Sequence, residues 1–154
     1  MAPEKLSPAV AIPQIRERLE HGELCRVVVT GSSMWPGLRH EKDAVILAPL
    51  ERPVRRGDVL FYLRAPTVCV LHRVVELRAD GAFDVCGDAQ TEKEVVRPEQ
   101  VLGVVSHVER GGRRFPVSAP GWRLYSALWR ALLPLRGRIL PLLRALGGHQ
   151  NKGK

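Results

Sequence analysis

Three side chains of this sequence have the types that nucleophilic catalysis needs: Ser33, His72 and Asp88. Ser33 lies in Gly31-Ser32-Ser33-Met34-Trp35-Pro36, directly after the run Cys25-Arg26-Val27-Val28-Val29-Thr30. The β-branched content of that run reads as a strand, and Pro36-Gly37 breaks it. A hydroxyl between glycine and proline at a strand end sits on a tight turn. Its oxygen is accessible there, and a rigid backbone N–H can face a developing oxyanion. The ordinary alternative makes Ser32 and Ser33 plain turn residues, and the hexapeptide alone favours it. Two later stretches reverse that preference. His72 shares a strand face with Val68, Val70 and Val74 by period-two alternation. A histidine among valines is partly desolvated, which biases it to the neutral, proton-accepting form near pH 7. Its competing role is that of a hydrogen-bonded core histidine. Asp88 follows Gly87 at a strand end, from where it could orient an imidazole or cap a nearby N–H. His21 and His40 stand in polar loop or helix-end contexts, His107 in a strand and His149 in the tail. Spacing alone leaves the convergence of Ser33, His72 and Asp88 open.

The elements around these residues read as mainly β. Residues 43–48, 59–63, 67–77, 83–86, 101–108 and 113–117 are apolar or valine-rich runs. Turn signals punctuate them: Arg56-Gly57-Asp58, Asp80-Gly81, Gly87-Asp88 and Gly111-Gly112. Thr91 to Gln100 reads as a charged loop. Short strands at this spacing predict a sandwich or partly open barrel. A helix is expected from Pro8 to about Glu20, with Ser7 as N-cap, Ile12, Ile15 and Leu19 on one face, and Pro13 against it. Residues 1–7 read as a loose arm, and 1–24 as an N-terminal unit before a β domain at 25–118.

The chain of 154 residues has a formal net charge of +8, and the charge is unevenly spread. Residues 1–109 hold 14 Lys and Arg against 16 Asp and Glu; residues 110–154 hold 10 Lys and Arg and no acid. A partner bound through charge would therefore meet the C-terminal part, 119–154. From Trp122 to Leu146 a helical wheel sets Arg123, Arg130, Arg138 and Arg144, with Ser126, on one side. Leu124, Tyr125, Leu128, Leu132, Leu135, Ile139, Leu142, Leu143 and Leu146 fall on the other, with Arg136 misplaced among them. Pro134 and Pro141 would kink or split the helix. Arginine interrupts it too often to span a bilayer, which takes ~20 apolar residues. It fits a membrane interface, with Trp122 and Trp129 at headgroup level, or a helix packed on the β-core or another subunit. The acid-free flank favours the membrane. Residues 147–154 read as disordered. Cys25, Cys69 and Cys86 are odd in number and widely spaced, which argues for core thiols against a disulfide framework or a metal site. The first 25 residues lack the apolar stretch of a signal peptide.

These residues carry a resemblance. Gly31-Ser32-Ser33-Met34-Trp35-Pro36 resembles the Ser-Met-x-Pro box of type I signal peptidases. Arg56-Gly57-Asp58-Val59-Leu60 resembles their second box, and Leu71-His72-Arg73-Val74-Val75 the box that bears the base. Gly87-Asp88 fits the Gly-Asp box of the archaeal and endoplasmic-reticulum branch, whose base is histidine where bacterial enzymes and self-cleaving SOS repressors use lysine. Val101 to Arg113 is similar to the closing strand. The boxes keep their order over residues 25–115. The resemblance implies a serine endopeptidase without cofactor or metal, cleaving a leader or signal peptide after small residues. Ser33 would be the nucleophile and His72 the general base. Asp88 would support His72, with Glu94 or Glu92 as a second acid. The Ser33 N–H, with a contribution from Ser32, would form the oxyanion hole, and Met34 and Pro36 would border the substrate. Activity would fall with acid near the ordinary histidine pKa of about 6.5. The chain departs from the family in lacking an N-terminal transmembrane helix and in having Lys42-Asp43 where Gly-Asp is usual. A peripheral membrane or cytoplasmic location follows. Two other classes compete. One is a non-catalytic peptide-binding membrane adaptor on the same fold. The other is a repressor-like nucleic-acid-binding protein, disfavoured because 25 residues are too few for a helix-turn-helix and the tail is too apolar for a phosphate-binding arm.

Overall fold

A computed structural model describes residues 8–147. The expected arm at 1–7, the Ser7 cap and the tail beyond Gly147 lie outside these residues. The described residues are mainly β: eight antiparallel strands form one open sheet, with three α-helices. The strands are β1 (Cys25–Val28), β2 (Asp43–Ala48), β3 (Val59–Ala65), β4 (Val68–Leu77), β5 (Phe83–Cys86), β6 (Glu94–Val96), β7 (Val101–Arg110) and β8 (Arg113–Pro116). Their order is β1-β2-β7-β3-β4-β5-β6, with β8 also paired to β7. Helix α1 (Pro8–Glu20) matches the expected span and tolerates Pro13. β6 falls inside the stretch read as a charged loop. It is three residues long, and only Val96 is fully buried.

Alternation along β3 explains the two cores. Val59 and Phe61 pack with Val45, Leu47, Val105 and Val108 on one face. Leu60 and Tyr62 pack with Val74, Val85 and Val96 on the other. Leu60 is the register partner of His72, so His72 belongs to the Leu60/Tyr62 face, the face the valine pattern predicts. The next residue, Arg73, points to the opposite face.

The basic C-terminal segment is two helices, α2 (Pro120–Ala131) and α3 (Arg136–Leu146), joined by a short 3-10 turn at Leu133–Leu135. The break coincides with Pro134, which has no N–H to continue the helix. The wheel drawn from sequence inverts in part. Trp122, Ser126, Trp129, Arg136 and Leu140 are buried against the β-domain. Leu124, Leu128, Leu135, Leu142 and Leu146 are exposed. Trp122 and Trp129 are therefore core residues and do not stand at a lipid headgroup level. Among the described residues no helix is long and apolar enough to cross a membrane.

Candidate functional site

The loop after β1 is pinned at both ends. Val29 donates to the carbonyl of Asp43 at 2.9 Å, and Glu41 donates to the carbonyl of Val29 at 2.7 Å. Within it, the Gly31 N–H donates to Nδ1 of His40 at 2.7 Å. Gly31 has φ +85°, a left-handed conformation that glycine adopts without strain. Asp43 holds the far end. Arg39 and Arg110 both bond its carboxylate, and Arg110 also donates to the Gly37 carbonyl at 2.6 Å. Burial would raise the Asp43 pKa, but the hydrogen bonds from Arg110 and Arg39 outweigh it and hold it at about 2. The Lys42-Asp43 departure thus still supplies an acid that anchors the loop.

Ser33 is half-buried, and its carbonyl accepts the Ala89 N–H at 2.8 Å. Neither its hydroxyl nor its backbone N–H bonds another of the described residues. Contact with the stretch after β5 is close enough that a Cβ on Gly87 would stand 2.5 Å from the Ser33 carbonyl oxygen. The β4–β5 register pairs Arg73 with Cys86. Continued by one residue, that register sets His72 across from Gly87. Ser33 lies against Gly87, the residue after the Cys86 partner of Arg73, and no hydrogen bond joins the Ser33 hydroxyl to the His72 ring.

His72 is buried, at 2% exposure. Its Nδ1 lies 3.1 Å from the Tyr62 hydroxyl, which donates to Oε2 of Glu94 at 2.9 Å. Arg64 forks onto the same carboxylate at 3.0 and 2.7 Å. The chain of bonds assigns the tautomer. A carboxylate only accepts, so the single Tyr62 proton goes to Glu94, and the phenol oxygen must accept from His72 Nδ1–H. Nε2 then carries the lone pair. Every buried side-chain polar atom among the described residues has a hydrogen-bond partner, so the unbonded Nε2 is the edge at which the ring meets solvent. Burial lowers the His72 pKa, Arg64 lowers it further, and Glu94 and Asp88 only partly offset this, leaving it at about 4. Burial, then the bond to Glu94, raises the Tyr62 pKa and keeps it protonated.

Asp88 does not orient His72. Its two oxygens accept a fork from Arg73, each at 2.9 Å, and Oδ2 also accepts the Tyr125 hydroxyl at 2.8 Å. Both Asp88 and Arg73 are fully buried. The physical reason is strand alternation: His72 and Arg73 leave opposite faces of β4, and the carboxylate that grips one is turned from the other. Arg73 lies over the rings of Trp122 and Tyr125, 5.4 Å from each centroid, so this pair fastens α2 to the sheet. Arg136, out of place on the wheel, is also consumed inside. It donates to the carbonyls of Trp129, Gly87 and Gln90, and the Trp129 indole donates to the Asp88 carbonyl at 2.8 Å. The acid that does address His72 is Glu94, at 4.0 Å from Nδ1 and through Tyr62; Glu92 is exposed.

Ser32 is exposed in the same turn, and Pro36 is half-buried after a cis peptide bond. Met34, expected at the substrate, is 2% exposed and packs in the core with Leu38 and Val29. Gly57 of the second box has φ +93°, and a Cβ there would stand 2.8 Å from Ser126 Oγ. Asp58 accepts a fork from Arg52 and the Arg55 N–H. That box therefore shapes a turn beneath α2. Sequence reasoning missed Tyr62, Arg64, Arg73, His40 and Tyr125. A scan against models of known families finds no match to this chain, and a comparison with curated protein sequences finds none either.

Proposed function

We propose that the chain is a serine endopeptidase of signal-peptidase type, acting on a leader or signal peptide through Ser33 and His72. The observation that carries this reading is the buried, neutral His72, whose Nδ1–H is engaged by the Tyr62 hydroxyl, itself bonded to Glu94, and whose Nε2 lone pair is left for a substrate-side proton. Nε2 takes the proton of the Ser33 hydroxyl as the oxygen attacks the scissile carbonyl. The Ser33 N–H, free of other partners, receives the oxyanion. The imidazolium then protonates the departing amine, and a water activated by the same ring hydrolyses the acyl ester. Glu94 supplies the negative charge that the transient imidazolium needs.

The sheet supports a route for the peptide. β3 pairs with Val68–Arg73 of β4, and β5 pairs only from Arg73 onward. The second edge of residues 68–71 thus has no strand partner among the described residues, and it leads straight to His72. An extended peptide added to that edge would run toward Ser33. The absence of a Ser33–His72 hydrogen bond favours a second reading, a peptide-binding adaptor on the same fold; catalytic bonds, however, often tighten only when substrate is bound. A library of peptides with small residues around one bond, incubated with the protein and read by mass, separates the two. The peptidase reading expects cleavage by the native chain, and none by Ser33→Ala or His72→Ala at unchanged melting temperature. Cleavage that survives in Ser33→Ala, or binding without cleavage by the native chain, would overturn it.

A further inference from the structure

The face of α2 and α3 turned from the β-domain is apolar and has no partner among the described residues. Leu124, Leu128, Leu142 and Leu146 are 61%, 54%, 65% and 84% exposed. In each helix the two leucines are four residues apart, so they form one stripe per helix. Exposure of four leucines in stripes on one segment is unlike the scattered single apolar residues normal on a protein surface. The opposite face of the same helices is already satisfied by Trp122, Trp129, Arg136 and Leu140, so rotating the helices inward would bury the leucines only by unseating these.

Charge says what covers the stripe. Arg123 and Arg130 lie roughly a quarter to a third of a turn from Leu124 around α2. With Arg52, Arg55 and Arg56 they line a cleft of about 650 Å³ that Leu124 borders. Arg52 is paired with Asp58 and Arg56 with Glu76. The side chains of Arg55 and Arg123 have no ion-pair partner among the described residues, nor do those of Arg138 and Arg144 on α3. No acid occurs from residue 110 to 154. A protein partner would have to be both apolar and strongly acidic over one face, whereas an anionic bilayer offers both properties in one surface.

We propose that α2 and α3 lie in the plane of an anionic membrane, with Leu124, Leu128, Leu142 and Leu146 in the acyl boundary and the arginine cleft over anionic headgroups. This surface is independent of the peptidase reading, since none of its residues touches Ser33 or His72. The anchor would consist of two short helices, each contributing one pair of leucines, fastened to the β-domain by the Asp88–Arg73 and Arg136 contacts.

Sedimentation of the full chain with vesicles tests it, using phosphatidylcholine alone and phosphatidylcholine mixed with phosphatidylglycerol. The native chain is expected to sediment with the mixed vesicles and to bind the neutral ones about tenfold less or weaker, with added salt reducing the difference. The triple variant Leu124→Ser, Leu128→Ser, Leu142→Ser should lose about tenfold or more of that binding. These positions are exposed, so its circular dichroism and melting temperature should match the native chain. A native chain that stays in the supernatant with mixed vesicles would overturn the proposal. So would a triple variant that binds as well as the native chain, or a native dimer in solution that the variant dissociates.

Discussion

At the scale of single residues, the proposed base is set by what touches it. An isolated histidine loses its base function near pH 6.5. Burial and Arg64 move His72 to about 4. The sign is that of a group whose charged form the fold disfavours. The ring stays neutral as pH falls through 6.5 and takes a proton only near 4. A pH profile of kcat/KM should therefore keep its acid side flat below 6 and fall near 4, where the sequence alone led us to expect 6.5. An acid limb at 6 to 7 would show that the ring is solvated in the working protein. The same profile tests the bridge. Tyr62→Phe removes the acceptor for Nδ1–H and frees the ring to adopt the other tautomer. One hydrogen bond is worth about 0.5–1.5 kcal/mol, so kcat should fall about three- to tenfold. KM should change little, and nitrogen chemical shifts of the ring should report a mixed tautomer in place of Nδ1–H. An unchanged tautomer in the variant would remove Tyr62 from the mechanism.

Elements explain how far the sequence could be read. Valine alternation around His72 was legible because it needs only one strand, and the Gly31-to-Pro36 turn because glycine and proline punctuate any chain. The partners of His72 were not. Tyr62 reaches the ring because β3 and β4 pair with Leu60 opposite His72, and a register is a property of two strands that neither one states. β6 was lost among the charges around it, although that strand begins at Glu94. Asp88 was misassigned for the same reason: its partner depends on which face of β4 looks toward α2. Met34 was misassigned because a residue next to Ser33 in the turn can still serve the core. The α2–α3 wheel went wrong because hydrophobicity alone cannot tell that aromatic rings and Arg136 have a polar socket to fill. One element-scale consequence is sharp. Gly87 lets the Ser33 loop approach, since a Cβ would stand 2.5 Å from the Ser33 carbonyl oxygen. Gly87→Ala should push the Ser33 loop away and lower kcat by about a hundredfold, the penalty expected when a reacting group is misplaced by about 1 Å. Activity equal to the native chain would mean that the contact of Ser33 with Gly87 and Ala89 does not position the hydroxyl.

Across the whole molecule two acids have separate partners, and stability distinguishes them. Asp88 is fully buried on Arg73, and with Tyr125 it joins the sheet to α2. Removing one member of a buried pair strands the other charge, which costs about 3–5 kcal/mol. Asp88→Ala should therefore lower the urea midpoint strongly and loosen α2. Glu94 is half-buried, and its partner Arg64 is exposed, so Glu94→Ala should cost only about 1 kcal/mol while lowering kcat. Equal stability of the two variants would contradict this division of labour. The Arg73 face of the sheet thus holds the buried pair from which the basic helices hang, and the Tyr62 face holds the His72–Tyr62–Glu94 chain on which the proposed chemistry depends.

The most direct measurement of the central claim is covalent trapping at neutral pH with a peptidyl phosphonate that ends in a small residue, followed by mass analysis of the digest. The account predicts one adduct, on the Ser33 hydroxyl, formed far more slowly in His72→Ala. An adduct on any other serine, no adduct at all, or a rate that does not depend on His72 would contradict it.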